Sequence, residues 1–133
     1  MNTPEKITEL EENEIFVFGS NSLGKHFGGA ARVAFDKFGA EWGIGEGRTG
    51  KCYAIPTLIL PTTESGEPVK VDKDDLQQSI STFVYYAWNH PELTFYVTKL
   101  GTGIAGWKLE EIAPMFSGVK YIRNIILPKE FEN

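Results

Sequence analysis

Apolar residues fall in short bursts along this chain, and the spacing within each burst predicts an element. Glu14–Phe18 (EIFVF) is a continuous apolar run of strand length and predicts a buried strand. GSNSLGKH follows, a loop by its Gly, Ser and Asn content. Phe27, Ala30, Ala31, Ala34, Phe35 and Phe38 then recur at helical intervals, predicting a helix that buries this face and closes at Gly39. Gly43–Gly50 (GIGEGRTG) places four glycines in eight residues and reads as a flexible connector. Cys52–Ile55 (CYAI) is a second strand, ended by Pro56. Leu58 to Lys70, holding Pro61, Gly66 and Pro68, predicts a long loop or irregular hairpin.

Asp72 is positioned to cap a second helix with Leu76, Ile80, Phe83, Val84 and Ala87 on its buried face, stopped by Asn89-His90-Pro91. Leu93–Leu100 (LTFYVTKL) is the third strand. GTGIAG makes the next loop, and Leu109, Ile112, Ala113 and Phe116 mark a third helix, kinked or split at Pro114. Asn124–Leu127 (NIIL) closes the chain as a strand. Alternation of strands and helices over 133 residues predicts one α/β domain with a largely parallel sheet, whose ligands bind outside the carboxyl ends of the strands.

Composition narrows the function. No apolar run approaches the ~18 residues of a membrane span, and the acidic opening MNTPEKITELEENE does not read as a secretory signal. The lone Cys52 excludes an internal disulfide and a cysteine-based zinc site. A cytoplasmic location is the expectation. Net charge is −5, and no basic stripe suits duplex nucleic acid. A small anion is not disfavoured, because backbone N–H groups and helix N-termini hold phosphate without side-chain charge.

Three glycine-rich loops are candidates for that role. Gly101–Gly106 (GTGIAG) spells a dinucleotide fingerprint after a strand and before a helix. A dinucleotide fold also needs an acidic residue about 20 positions on; here that neighbourhood holds Arg123, with ten residues left. What survives is a loop whose small residues expose successive N–H groups, or simply a tight turn. Gly45–Lys51 (GEGRTGK) nearly matches a nucleotide-triphosphate loop, but Cys52 replaces the magnesium-binding hydroxyl and a strand follows instead of a helix. Gly28-Gly29-Ala30-Ala31 opens the first helix with side chains too small to block a pyrophosphate; close helix–sheet packing is the competing and compatible reading.

In order, GSNSLGKHFGGAARVAFDKFG, KCYAIPT and LTFYVTKLGTGIAGWKLEEIA resemble the strand ends, phosphate loops and helix starts of macro domains, over Ile15 to Ala113. The resemblance implies a three-layer α/β/α sandwich with a mixed, mostly parallel sheet, and ADP-ribose or an ADP-ribosylated substrate in a cleft at the strand ends. It implies that Asn21 contacts the distal ribose and that Gly28, Gly29 and Ala30 form the first phosphate loop. Gly101, Thr102, Gly103, Ile104, Ala105 and Gly106 form the second, with Trp107 flanking the distal ribose. The adenine-recognising aspartate of many members has no counterpart here; Glu11, Glu12 and Asn13 are the polar residues in range. The pattern suits a compact branch of bacterial or phage origin.

A hydrolase on the same site requires a group to activate water. His26 is the best placed, with Lys25, Asp36 and Glu46 as further candidates and Asn21 as an assisting residue. An exposed loop histidine is the bland reading of His26. His90 reads as a helix stop, Cys52 as a small core residue, and Trp42 and Trp88 as core or surface rather than base-stacking platforms. The two histidines have no metal-ligand spacing, so neither metal nor cofactor is expected. Beside the binder and the hydrolase stands a third expectation, an interaction protein that keeps the fold without the ligand.

Overall fold

β1 (Glu14–Asn21) is the axis of the computed structural model, which describes residues 1–60 and 64–132. It pairs in parallel with β3 (Cys52–Ile59) on one side and β5 (Thr94–Val97) on the other. β6 (Ile125–Ile126) extends the sheet in parallel beyond β5, while β2 (Gly47–Thr49) and β4 (Val69–Lys70) pair antiparallel with β3. The order is β2-β3-β1-β5-β6, with β4 on β3, so the sheet is mixed and mostly parallel as expected.

Alternate residues of a strand face opposite sides, and β1 supplies a core on each. Ile15 and Val17 join Ile55, Phe83, Phe95 and Val97 in the larger core, under α2 (Lys73–Trp88) and the C-terminal helices. Phe16 and Phe18 join Ala31, Ala34, Phe38, Cys52 and Ala54 in the smaller core, under α1 (Gly29–Lys37). Burial on both faces is why EIFVF reads as one continuous apolar run instead of alternating.

Several expected boundaries shift. The first helix starts at Gly29, and only Ala31, Ala34 and the capping Phe38 are buried; Phe27 is 66% exposed and Phe35 38%. The helix meets the sheet through small alanines, so its aromatic flanks are left outside. Gly39 closes it with φ +87°. Pro56 does not end the second strand. β2 pairs with β3 only as far as Ala54 and β4 pairs with it only from Leu58, so Pro56 lies where no strand on that side needs its missing N–H. Leu58 and Ile59 pair with Lys70 and Val69, making the irregular hairpin; Pro61 lies outside the described residues. Part of the predicted connector is β2, a hairpin partner of β3.

Asp72 caps α2, its carboxylate accepting the Asp74 N–H at 2.9 Å. β5 is shorter than LTFYVTKL, because after Val97 the chain turns, with the Leu100 N–H donating to the Thr98 carbonyl at 2.7 Å. The third helix splits at Pro114: α3 (Leu109–Ile112) gives way to a 3-10 helix over Ala113–Tyr121. Among the described residues no helix is long and apolar enough to cross a membrane.

The Cys52 thiol lies in the smaller core, where burial pushes its pKa up to about 12. Thiolate is the reactive form, so native protein at pH 8 is expected to resist alkylation until denatured. Stoichiometric labelling of the folded protein would place Cys52 outside this core. Phe83→Ala, removing a fully buried ring, is expected to cost about 3–5 kcal/mol in denaturant unfolding.

Candidate functional site

The ends of β1, β3 and β5 come together beneath a cleft of about 890 Å³. Gly19, Ser20 and Asn21 arrive from β1, Thr57 and Leu58 from β3, and Thr98 to Leu100 from the end of β5. Gly19 lets the loop beyond β5 come close: a Cβ there would lie 3.0 Å from the Gly101 nitrogen and 3.3 Å from Thr57 Oγ1. The N-terminal segment forms a further wall, Thr3 to Ile7, tied down where the Thr3 N–H donates to the Leu127 carbonyl at 2.9 Å.

Asn21 folds the first loop. Its Nδ2 donates to the Lys25 carbonyl at 2.7 Å and its Oδ1 accepts the Lys25 N–H at 2.9 Å. The side chain that the resemblance gives to a ribose is thus engaged in shaping the loop, at the edge of the cleft. Below the loop lies the glycine-rich segment read as a connector. Ser20 Oγ donates to the Gly45 carbonyl, the Gly43 N–H donates to the Gly24 carbonyl at 2.9 Å, and a Cβ on Gly45 would sit 2.4 Å from the Asn21 carbonyl oxygen. Gly45 and Gly50 are required there because backbone packs on backbone, whereas Gly43 and Gly47 meet open space and hold φ of +93° and +99°.

Where the loop enters α1 the glycines behave differently. A Cβ at Gly28 or Gly29 would meet nothing within 4 Å. Gly28 is the N-cap and supplies no side-chain cap, and the first turn carries no acidic residue. Among the described residues the N–H groups of Gly28, Gly29, Ala30 and Ala31 have no protein acceptor, as a helix start requires of some outside group. Gly28, Gly29, Ala30 and Ala31 all line the cleft.

The second loop divides in the same way. Gly101, at φ +79°, is a packing glycine, since a Cβ there would lie 2.9 Å from Ile112 Cδ1 and 3.1 Å from Trp107 Cδ1. The Thr102 N–H and Oγ1 both donate to the Lys99 carbonyl, at 3.3 and 2.7 Å. The Gly106 N–H donates to the Gly103 carbonyl, and the Trp107 N–H to that of Gly101. Between these closures the N–H groups of Gly103, Ile104 and Ala105 have no partner among the described residues, and all three residues line the cleft.

Trp107 and Gly106 do not line it. Trp107 is buried and its indole N–H donates to the Thr57 carbonyl at 3.0 Å, which makes it a brace between α3 and β3 rather than a wall for a sugar. His26 is also displaced from its expected place. It is neither exposed nor in the cleft: fully buried, it packs on Phe18 and Trp42, with Nε2 2.9 Å from the Glu41 carbonyl. That acceptor requires the proton on Nε2, and Nδ1 is left buried with no partner among the described residues. The loop turns inward at His26 because two apolar faces close over the ring.

Of the other candidates, Lys25 lines the cleft; Asp36 and Glu46 do not. Asp36 pairs with Arg32 at 2.9 Å on the surface of α1. Glu46 stands near Tyr53, whose phenol is pushed up to about 12 by burial first and the Glu46 charge second. Glu11, Glu12 and Asn13 are likewise elsewhere. Among the described residues the charged groups of the cleft are Lys6, Lys25, Lys37 and Lys99 against the single carboxylate of Glu5, so this acidic chain is locally basic where its N–H groups are free. Lys99 lies 3.1 Å from Glu5 and 3.5 Å from Glu130. The hydrogen bond it donates to Glu5, then the Glu130 charge, raises its pKa. Glu5, Lys99 and Phe27 escaped sequence reasoning: the first lies far away in the chain, the second reads as a strand residue, and the third fits the helical spacing.

The two kinds of glycine predict two kinds of variant. Gly45→Ala is expected to lower thermal stability by more than about 1 kcal/mol, as overpacking does, because the Asn21 backbone cannot move aside. Gly103→Ala, whose added methyl meets open space, is expected to melt within about 0.5 kcal/mol of the parent. Equal melting temperatures for the two variants would refute the division.

The chain matches no protein-family model and no curated protein. In structure it is similar to a solved protein of unknown function from Bacteroides thetaiotaomicron, with a TM-score of 0.64, 14% identity, and coverage of 90% of this chain and 88% of that one. At that identity the likeness shows a shared α/β fold and nothing about ligand or activity.

Proposed function

We propose that this protein binds ADP-ribose or a related NAD-derived nucleotide, with the diphosphate held between the two glycine loops. The observation that carries the reading is that two separate runs of unpartnered N–H groups, at the start of α1 and over Gly103–Ala105, open on one cleft at the ends of parallel strands. Each run is flanked by a glycine whose missing Cβ leaves space open instead of filling a contact, at Gly28, Gly29 and Gly103. A diphosphate supplies acceptors to both runs at once, and the helix dipole and the lysines favour its charge. The same features support a macro domain-like three-layer arrangement, as does the presence of helices over both cores of a mostly parallel sheet.

Binding is better supported than hydrolysis. Among the described residues no histidine or aspartate lines the cleft, and the one carboxylate that does, Glu5, is tied to Lys99.

Thermal denaturation against ADP-ribose, AMP, ADP, NAD and a cyclic dinucleotide tests the proposal. A ligand present at 100 times its dissociation constant adds about 2.7 kcal/mol, a shift of several degrees, and ADP-ribose is expected to exceed AMP. Gly103→Glu puts a carboxylate at the phosphate position and is expected to abolish the shift while the unliganded protein melts as before. No shift with any nucleotide would leave the interaction-protein reading in its place.

A further inference from the structure

Phe27 is the largest apolar side chain left in the open at the cleft. It is 66% exposed, it lines the cavity, and it immediately precedes Gly28, whose N–H begins the first free run. Its position is nonetheless held. The Phe27 N–H donates to the Lys25 carbonyl at 3.0 Å, and the ring meets Trp42 edge to face, with centroids 5.3 Å apart and planes at 76°. Trp42 is in turn braced by Phe35 at 5.4 Å and 69° and by buried His26 at 6.1 Å and 79°. His26 is anchored on the Glu41 carbonyl. An edge-to-face contact uses one part of a ring and leaves a face free for another planar group.

The outward position of Phe27 exposes apolar area that water disfavours, and among the described residues its one aromatic contact is with Trp42. We infer that Phe27 is a stacking platform for the nucleobase of the bound nucleotide, with Trp42 and His26 as positioning residues behind it. A base is one sugar away from its phosphate. A ring adjoining the N–H run that holds the phosphate is therefore within reach of the base, and stacking tolerates any base because each has a π-face. The inference rests on the diphosphate reading of the cleft and adds to it the recognition of the base. It also gives the fully buried His26 a purpose: its ring is the floor on which the exposed aromatics stand.

Isothermal titration of the full chain with ADP-ribose, for the parent, Phe27→Ala, Phe27→Leu and Phe27→Trp, tests it. Stacking lost at one base corresponds to roughly a five- to hundred-fold weaker affinity, expected for both Ala and Leu, whereas Trp retains parental affinity. Melting temperatures of the unliganded variants separate an unfolded loop from a lost contact. Affinity unchanged in Phe27→Ala, or equal in Phe27→Leu and Phe27→Trp, overturns the platform while leaving the diphosphate site standing. No binding by the parent protein overturns both.

Discussion

Everything in this molecule depends on β1 being enclosed on four sides. Parallel ladders to β3 and β5 occupy its edges, and a separate apolar core occupies each face. A strand so enclosed has only its ends free. Because the three strands run the same way, their carboxyl ends emerge together, and the chain must leave each one by a loop over the same edge of the sheet. Loop closure there is tight: Gly19 admits the Gly101 backbone, and Thr57 accepts the Trp107 indole from across the sheet. The cleft is the space these departures enclose.

Its chemistry follows from what backbone lacks at such places. A helix start leaves N–H groups without acceptors, and a loop closed by bonds on either side of Gly103–Ala105 leaves three more. Neither array carries formal charge, so a chain of net charge −5 can still present unpartnered donors beside lysines at one cleft. The lysines around the cleft reinforce that local sign, although Lys99 is already engaged by Glu5 and Glu130.

Legibility in the sequence varied with the range of the interaction concerned. The α2 cap at Asp72, the helix end at Gly39 and the break at Pro114 are local events, determined by a residue and its near neighbours, and all three were read correctly. Phe27, His26 and Trp107 were less legible, for different reasons: His26 is sealed by Phe18 and Trp42 from other segments, Trp107 is drawn inward by the Thr57 carbonyl of β3, and Phe27 is placed by the packing of α1. Helical spacing identifies residues able to face a core, but α1 approaches the sheet through Ala31 and Ala34, and that closeness decides which aromatics fit beneath. A glycine count is equally ambiguous. Gly45 and Gly101 avoid collisions, while Gly28 and Gly103 leave space, and a string of letters does not distinguish an absent clash from an open cleft.

The sequence by itself therefore determined the alternation of strands and helices, the two-sided burial of EIFVF, and the three stretches of small residues where backbone is exposed to approach. Those depend on periodicity and on the steric demands of single residues. The tertiary structure alone decided which stretches share a cleft, that Glu5 enters it from the far N-terminus, that Gly43–Gly45 lies beneath the first loop, and that His26 is sealed inward while Phe27 is held out. Each of these is a contact between segments distant in the chain, and only packing around β1 settles which distant surfaces meet.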